Sequence, residues 1–176
     1  MVTKFSFGVL LDLDQTLVIT QPLESLRNTA RRTRNWNPVY RAFDKTYLQP
    51  HTQSFVAQVS QLATVGVVTN SPRPYAERLL AHHNLDLRVL VGYRDVLNHK
   101  PHPEPILKGA ELLGIPVENC FHVGDSATDI EASLRARAIT VAVTWGSPNG
   151  QPHAGVQLLA KTWEEVLQFI RSRVGG

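Results

Sequence analysis

The sequence predicts an α/β protein, with helices on both faces of a mostly parallel sheet. Short apolar runs of strand length alternate with amphipathic stretches of helical period along most of the chain, which is the pattern of a parallel sheet covered on both faces. The 176 residues have ordinary apolar and charged contents (43% and 19%) and are numerous enough to bury a core. The single cysteine, Cys120, excludes a disulfide framework within the chain.

The predicted elements follow in order. Strands are expected over 5–11, 64–69, 87–91, 120–123 and 139–143, where apolar residues are nearly continuous. Helices are expected over 51–62, from Ser71-Pro72 onward, over 103–113, between the last two strands, and from Thr162 to about Arg171. Ser71-Pro72 is typical of an N-cap followed by a first-turn proline, Gly114 of a helix end, and Thr162 with Glu165 of a capping box. Together these elements form a Rossmann-like three-layer α/β/α sandwich.

One segment does not fit the alternation. We therefore predict a core domain from residues 1–17 and 49–176, and a small helical cap insertion over 18–48, with helical pieces at 22–34 and 38–47. The stretch from 21 to 46 holds six basic and two acidic residues, a net charge of +4 within a chain of +3. The basic character of the protein therefore belongs to the insertion.

Two interpretations of this basic segment stay open. Arg27, Arg31 and Arg34 are expected at helical spacing on one face and are possible substrate-binding residues, with Trp36, Tyr40 and Phe43 nearby as aromatic platforms for a nucleotide or a nucleic-acid end. Alternatively, the arginines form a solvated face over a small aromatic core.

Polar residues follow the predicted strands at the points where each strand ends. The carboxyl ends of parallel strands lie along one edge of a sheet, where ligands bind. We therefore expect one site to contain Asp12, Asp14, Thr69, Asn70, Lys100, Asp125 and Asp129. Carboxylates suit Mg²⁺, while a helix start and a lysine suit phosphate oxygens. The combination indicates phosphoryl transfer.

Four motifs in this order resemble those of the haloacid dehalogenase-like (HAD) superfamily. They are DLDQT at 12–16, Thr69 within VVTNS, Lys100 before PHPEP, and GDSATD at 124–129. The resemblance covers nearly the whole chain. Within the superfamily, the chain resembles the phosphoglycolate phosphatase-like branch, with a reduced helical cap. Gln15 departs from the glycine that many relatives carry.

The resemblance implies a role for each matching residue. Asp12 would be the nucleophile that forms a phosphoaspartyl intermediate, and Asp14 the general acid and then the general base. Thr69, Asn70 and Lys100 would bind the phosphoryl group. Mg²⁺ would be held by Asp12, the backbone carbonyl of Asp14, Asp125 and, directly or through a water, Asp129.

The expected function is hydrolysis of a small phosphomonoester by a Mg²⁺-dependent phosphatase. Three alternatives stay open: a phosphomutase, a phosphatase of nucleotides or nucleic-acid ends that uses the basic cap, and a non-catalytic binding protein. Asp14 argues against dehalogenation, because dehalogenases lack an aspartate there. We expect a cytoplasmic location and no membrane span, since the longest uncharged stretches contain glutamine, histidine or proline. The sequence does not predict the oligomeric state.

Overall fold

A parallel sheet forms the centre of the protein, in a computed structural model that describes residues 5–146 and 154–175. Its strands run in the order β5–β4–β1–β6–β7–β8, and each neighbouring pair is parallel. The strands are β1 (Gly8–Leu11), β4 (Thr64–Val68), β5 (Val89–Val91), β6 (Cys120–Gly124), β7 (Ile139–Val143) and β8 (Leu158–Ala160), while β2 (Val18–Ile19) and β3 (Tyr47–Leu48) form a separate antiparallel ribbon. The predicted α/β class is confirmed.

Helices cover both faces of the sheet. The helices are α1 (Glu24–Thr33), α2 (Asn37–Tyr40), α3 (Thr52–Val59), α4 (Arg73–His82), α5 (Glu104–Leu113), α6 (Ala127–Ala136) and α7 (Trp163–Val174). Val9 and Leu11 belong to the apolar cluster shared with α3, α4 and α7, whereas Leu10 belongs to the cluster shared with α5 and α6. This alternation along β1 produces three layers, since successive strand side chains point to opposite faces.

The segment 18–48, predicted to be a helical cap insertion and called the cap segment below, is only partly helical. Its first predicted helix forms as a 3₁₀ turn over Gln21–Leu23 continued by α1. The predicted helix over 38–47 is wrong, because that stretch contains α2, a 3₁₀ turn over Phe43–Lys45 and the strand β3. Pairing of β2 with β3 closes the base of the segment, and two-residue strands are too short to show a period in sequence.

One other local prediction is wrong, and one strand was missed. The N-cap of α4 is Pro72, not Ser71, and the Ser71 hydroxyl instead donates to Asp14. The strand β8 was not expected, since it is only three residues long. The predicted end of α5 is confirmed, with Gly114 at a φ of 69°. The Thr162 hydroxyl accepts from the Glu165 amide, which confirms the start of α7.

Among the described residues, no helix is long and apolar enough to cross a membrane. The buried cysteine Cys120 lies on β6 and behaves as a small apolar side chain, with burial raising the pKa of its thiol to about 12. His122, two residues further along β6, is also buried, and burial lowers its pKa to about 3.

Candidate active site

The loops after the parallel strands meet at one cavity of about 370 Å³. All seven residues that the sequence placed in the site line this cavity. The helix α1 of the cap segment supplies a further wall through residues spaced three and four apart on one face. The lining residues are Asp12, Asp14, Gln15, Glu24, Arg27, Asn28, Arg31, Thr69, Asn70, Ser71, Lys100, Asp125, Ser126, Thr128 and Asp129.

Lys100 is the buried cation of the site. Its Nζ lies 2.7 Å from Asp12 Oδ1 and 2.5 Å from Asp129 Oδ1, and it donates to the Val68 carbonyl at 2.9 Å. Burial alone would lower the pKa of Lys100, but the charges of Asp12 and Asp129 outweigh burial and raise it. Lys100 is therefore a fixed positive charge beside the carboxylate of Asp12.

One lysine does not neutralise the acids that surround it. Carboxylate oxygens of Asp12, Asp125 and Asp129 lie within 4.8 Å of one another, and all three residues are buried. Burial and repulsion by Asp129 raise the pKa of Asp12 well above its usual value and that of Asp125 to about 6. A site that disfavours its own negative charges attracts a cation. The donor set therefore fits a hard divalent ion such as Mg²⁺.

Asp129 has a second role as the N3 residue of the capping box at the start of α6, where Ser126 is the N-cap. Its Oδ2 accepts from the Ser126 amide at 3.1 Å, while its own amide donates to Ser126 Oγ. Burial would raise the pKa of Asp129, but the neighbouring charge of Lys100 lowers it. The capping box fixes the carboxylate that faces Lys100.

Asp14 points away from the acidic cluster. Its carboxylate accepts from the hydroxyls of Thr20 (2.8 Å), Ser71 (2.6 Å) and Tyr75 (2.8 Å), and lies 2.8 Å from Nη2 of Arg27. The two aspartates of DLDQT thus have opposite surroundings: Asp12 faces a lysine and two other acids, whereas Asp14 faces donors only. Two environments of this kind are what two chemical roles require.

Two of the residues predicted to bind phosphate, Asn70 and Lys100, are hydrogen-bonded to each other. The Asn70 side chain accepts from the Lys100 amide at 3.1 Å and donates to the Lys100 carbonyl at 2.9 Å. Thr69 Oγ1 accepts from the Ser71 amide at 3.0 Å, so that its own proton stays available to donate. Asn70 thus positions the backbone of Lys100, a role that the sequence did not suggest.

The three arginines of the basic segment do not share one face. Arg27 is buried against Asp14, and Arg31 is exposed and lines the cavity. Arg34 is not on α1 at all, because the helix ends at Thr33 and Arg34 follows in the left-handed conformation. The expectation of one helical face is therefore wrong for Arg34. The aromatic part of the second interpretation is present, since Trp36 and Phe43 both pack on the Tyr75 ring.

Sequence reasoning missed the support that the residues directly after β7 give to Asp125. Trp145 Nε1 donates to the Thr16 carbonyl at 3.1 Å, and Thr16 Oγ1 donates to Asp125 at 3.0 Å. A Cβ at Gly146 would lie 2.7 Å from Oδ2 of Asp125 and would overlap the backbone oxygen of Gln15. Only glycine allows this approach. The signal in the sequence was weak: a Trp-Gly pair just after a strand.

Gln15 occupies a backbone conformation that explains the glycine of many relatives. Its φ of 67° lies in the left-handed region, which costs an ordinary residue about 1 kcal/mol. The Gln15 side chain accepts from the Thr20 amide at 3.2 Å, which offsets part of that cost.

These features define an α/β protein whose active site lies at the carboxyl edge of its sheet and combines an acidic cluster with a buried lysine. A family model described as haloacid dehalogenase-like hydrolase matches residues 20–143, which is more than half of the chain. The chain belongs to this family.

Similar proteins agree with this assignment. A phosphoglycolate phosphatase of Salmonella choleraesuis is 37% identical over 115 residues, which are 62% of this chain and 45% of that protein. The chain thus spans less than half the length of the curated relatives it matches. A predicted phosphoglycolate phosphatase of Haemophilus somnus superposes with a TM-score of 0.75 at 23% identity, covering 96% of this chain and 99% of that chain. A subfamily IA HAD hydrolase of Geobacter sulfurreducens superposes with a TM-score of 0.73 at 17% identity, covering 96% of this chain and 99% of that chain.

Proposed function

We propose that the protein is a phosphatase that hydrolyses a phosphomonoester through a phosphoaspartyl intermediate and uses Mg²⁺. The observation that carries this proposal is that the two aspartates of DLDQT have different surroundings. Asp12 lies beside a buried cation at the cavity, and Asp14 is held separately by four donors. Family membership and the names of the relatives support the same activity.

In the first half-reaction, a carboxylate oxygen of Asp12 attacks the phosphorus atom. The bond from phosphorus to the leaving oxygen breaks, and that oxygen takes a proton from the carboxyl group of Asp14. The products are an alcohol, an acyl phosphate on Asp12 and the carboxylate of Asp14. Lys100 holds the transferred group beside Asp12, and Thr69 donates to one of its oxygens.

In the second half-reaction, water attacks the same phosphorus atom. Asp14 accepts a proton from this water, and the bond from phosphorus to the Asp12 oxygen breaks. Inorganic phosphate leaves, and both aspartates return to their starting forms. One carboxyl group thus serves as acid and then as base.

Asp12, the backbone carbonyl of Asp14 and Asp125 would hold the Mg²⁺ ion, with Asp129 as a direct or indirect ligand. When bound, the ion supplies positive charge that shields the attacking carboxylate from an anionic substrate. The reason to expect a cation here is the group of three buried carboxylates within 4.8 Å of one another, and the raised pKa values of Asp12 and Asp125 agree with it.

The substrate is proposed to be a small phosphorylated molecule. The curated relatives are phosphoglycolate phosphatases, so phosphoglycolate is the first compound to test. Arg31 lines the open side of the cavity and is available to an anionic leaving group. We keep Arg34 as a weaker candidate, because it lies beyond the end of α1 and does not line the cavity.

The test is phosphate release from a panel of esters, with and without Mg²⁺. The panel contains p-nitrophenyl phosphate, phosphoglycolate, sugar phosphates, nucleotides and a phosphorylated oligonucleotide. We expect metal-dependent turnover by the wild type and none by Asp12→Asn. Asp86→Asn is the matched control, since Asp86 is exposed and outside the cavity. Turnover that persists in Asp12→Asn would contradict the proposed nucleophile.

A nucleic-acid-end phosphatase is the second candidate. Arg31, Arg32, Arg34 and Arg41 are exposed on the cap segment, and none forms an ion pair with residues of the described ranges. Binding to a polynucleotide through several cations weakens steeply with salt. This candidate is favoured only if the oligonucleotide is the best substrate of the panel and its kcat/KM falls with salt more than that of small esters.

Two other functions fit the site less well. A phosphomutase must keep water from the phosphoaspartate while its substrate reorients, and a cap segment of about thirty residues offers little enclosure. A phosphorylated isomer as the product, in place of inorganic phosphate, would favour it. A non-catalytic binding protein has no need of the complete set of Asp12, Asp14, Lys100 and Asp125.

A further inference from the structure

Arg27 of the cap segment reaches the buried part of the site, beside Thr20 of the same segment. Its guanidinium donates to Thr20 Oγ1 at 2.7 Å and to Ser71 Oγ at 3.2 Å, and its Nη2 lies 2.8 Å from Asp14 Oδ2. The guanidinium also lies 5.2 Å above the centre of the Tyr75 ring. Arg27 thus contacts the three residues whose hydroxyls donate to Asp14, as well as Asp14 itself.

This arrangement differs from a substrate-binding arginine. The Arg27 side chain is 10% exposed, and Nε has no hydrogen-bond partner within the described part of the chain. Arg27 and Arg31 both line the cavity, but only Arg31 of the two is exposed, as suits a residue that receives an anion from solvent. The donors of Arg27 are used instead on side chains of the protein.

The four donors match the ionised form of Asp14. A carboxylate accepts at about four positions, and here every donor comes from a hydroxyl or the guanidinium. In the proposed reaction, Asp14 gains this negative charge as its proton passes to the leaving oxygen. Contacts that strengthen as charge develops lower the barrier of that step.

We propose that Arg27 is a positioning residue for Asp14: from the cap segment, it fixes the Asp14 carboxyl and stabilises the negative charge left when the proton goes to the leaving group. The inference rests on the proposed function. It assigns Arg27 to proton transfer and leaves substrate recognition to other residues of the cap segment.

The test uses two esters of similar size that differ in their need for an acid. The leaving group of benzyl phosphate is a basic alkoxide unless it is protonated. The leaving group of p-nitrophenyl phosphate is a weakly basic phenolate, which leaves without that help. For Arg27→Met we expect kcat/KM to fall by about tenfold to a hundredfold on benzyl phosphate, the effect of one lost charge-assisted contact, and far less on p-nitrophenyl phosphate. Arg27→Lys restores the charge without the planar fork, so it should recover part of the loss. Arg88→Met, an exposed arginine outside the cavity, is the control.

A double-mutant cycle separates positioning from binding. In an Asp14→Asn background, Arg27→Met should cost nothing further on benzyl phosphate, because the group it positions is no longer an acid. An equal loss on both esters, or a loss that persists beside Asp14→Asn, would overturn the inference. Absence of wild-type turnover on both esters would instead contradict the proposed function.

A second variant covers the case in which Arg27→Met does not fold. Thr20→Val keeps the side-chain shape but removes the hydroxyl between Arg27 and Asp14. It should produce the same selective loss on benzyl phosphate, to a smaller degree, since one contact of several is removed. Thermal unfolding of each variant verifies that the comparison is made on folded protein. An unselective effect of Thr20→Val would overturn the inference as well.

Discussion

The core and the cap segment hold their charges in opposite ways. In the core, Lys100, Asp12 and Asp129 are buried and in mutual contact. On the cap segment, four arginines are exposed without an ion pair among the described residues, and only Arg27 is buried. Buried charges of this kind are expensive unless their partners are fixed, whereas exposed charges add little to stability wherever they lie.

The difference shows which positions are constrained by chemistry. Each charge of this buried cluster depends on its neighbours, so a change at one residue alters the others. The exposed arginines of the cap segment have no such partners among the described residues, so a change at one of them leaves the buried charges as they are. Arg27 is the exception, because its partner is the core residue Asp14. The change from buried, paired charge to exposed charge therefore falls within the cap segment, between Arg27 and Arg31.

Lys100→Met should have the largest effect. Methionine has a similar length but no charge, so three carboxylates remain together without their cation. We expect the phosphatase activity to fall by about a hundredfold or more, since a group that stabilises the transferred phosphoryl is lost. We also expect Mg²⁺ to bind more tightly and to raise the unfolding temperature more than in the wild type, because the acidic cluster has become more negative.

Lys108→Met is the control for this change, because Lys108 lies on the surface of α5 and pairs with the exposed Glu111. Titration calorimetry with Mg²⁺ and thermal unfolding provide the two readings. A variant with weaker Mg²⁺ binding would show that Lys100 supports the metal site in some way other than by charge. The contrast between core and cap segment would then be less sharp than described above.

Gly146→Ala should have an intermediate effect. The added methyl group would lie 2.7 Å from Asp125 Oδ2 and against the Gln15 backbone, so the carboxylate must shift. We expect weaker Mg²⁺ binding and a stability loss of about 1–3 kcal/mol, as is typical of overpacking. Gly175→Ala, just after α7, is the control, since a Cβ at Gly175 would come no closer than 3.2 Å to its nearest neighbour, the Arg171 carbonyl oxygen. Unchanged metal affinity in Gly146→Ala would mean that Asp125 is not a ligand.

The contrast also explains what the sequence predicted well. Asp12 and Asp125 directly follow strands, and Lys100 lies four residues before α5, so the order of strands and helices was enough to bring them to one edge. The sheet carries long apolar runs such as 8–11, which are visible without any partner. Elements of this kind have a period or a composition of their own.

The cap segment was harder for a physical reason. Its short strands and 3₁₀ turns are stabilised by contacts with the core, such as the rings of Phe43 and Tyr75, and not by local preference. Arg27 was grouped with Arg31 because helical spacing shows a face but not the depth to which a side chain is buried. Ser71 was interpreted as an N-cap because the same hydroxyl suits both a backbone amide and Asp14. Tertiary partners decided each of these cases.

The smallest expected effect is a pH dependence at the contact between cap segment and core. Thr46 donates to the Phe43 carbonyl, so its oxygen accepts from Nε2–H of His83 at 2.7 Å. Burial, and then repulsion by His82, lower the pKa of His83, so the folded state favours the neutral ring. The unfolded state binds more protons just below pH 6.5, and stability should therefore fall as the pH drops through that value. The unfolding temperature between pH 7.5 and 5.5 should fall less in His83→Gln than in the wild type, and identical slopes would exclude His83 as the cause.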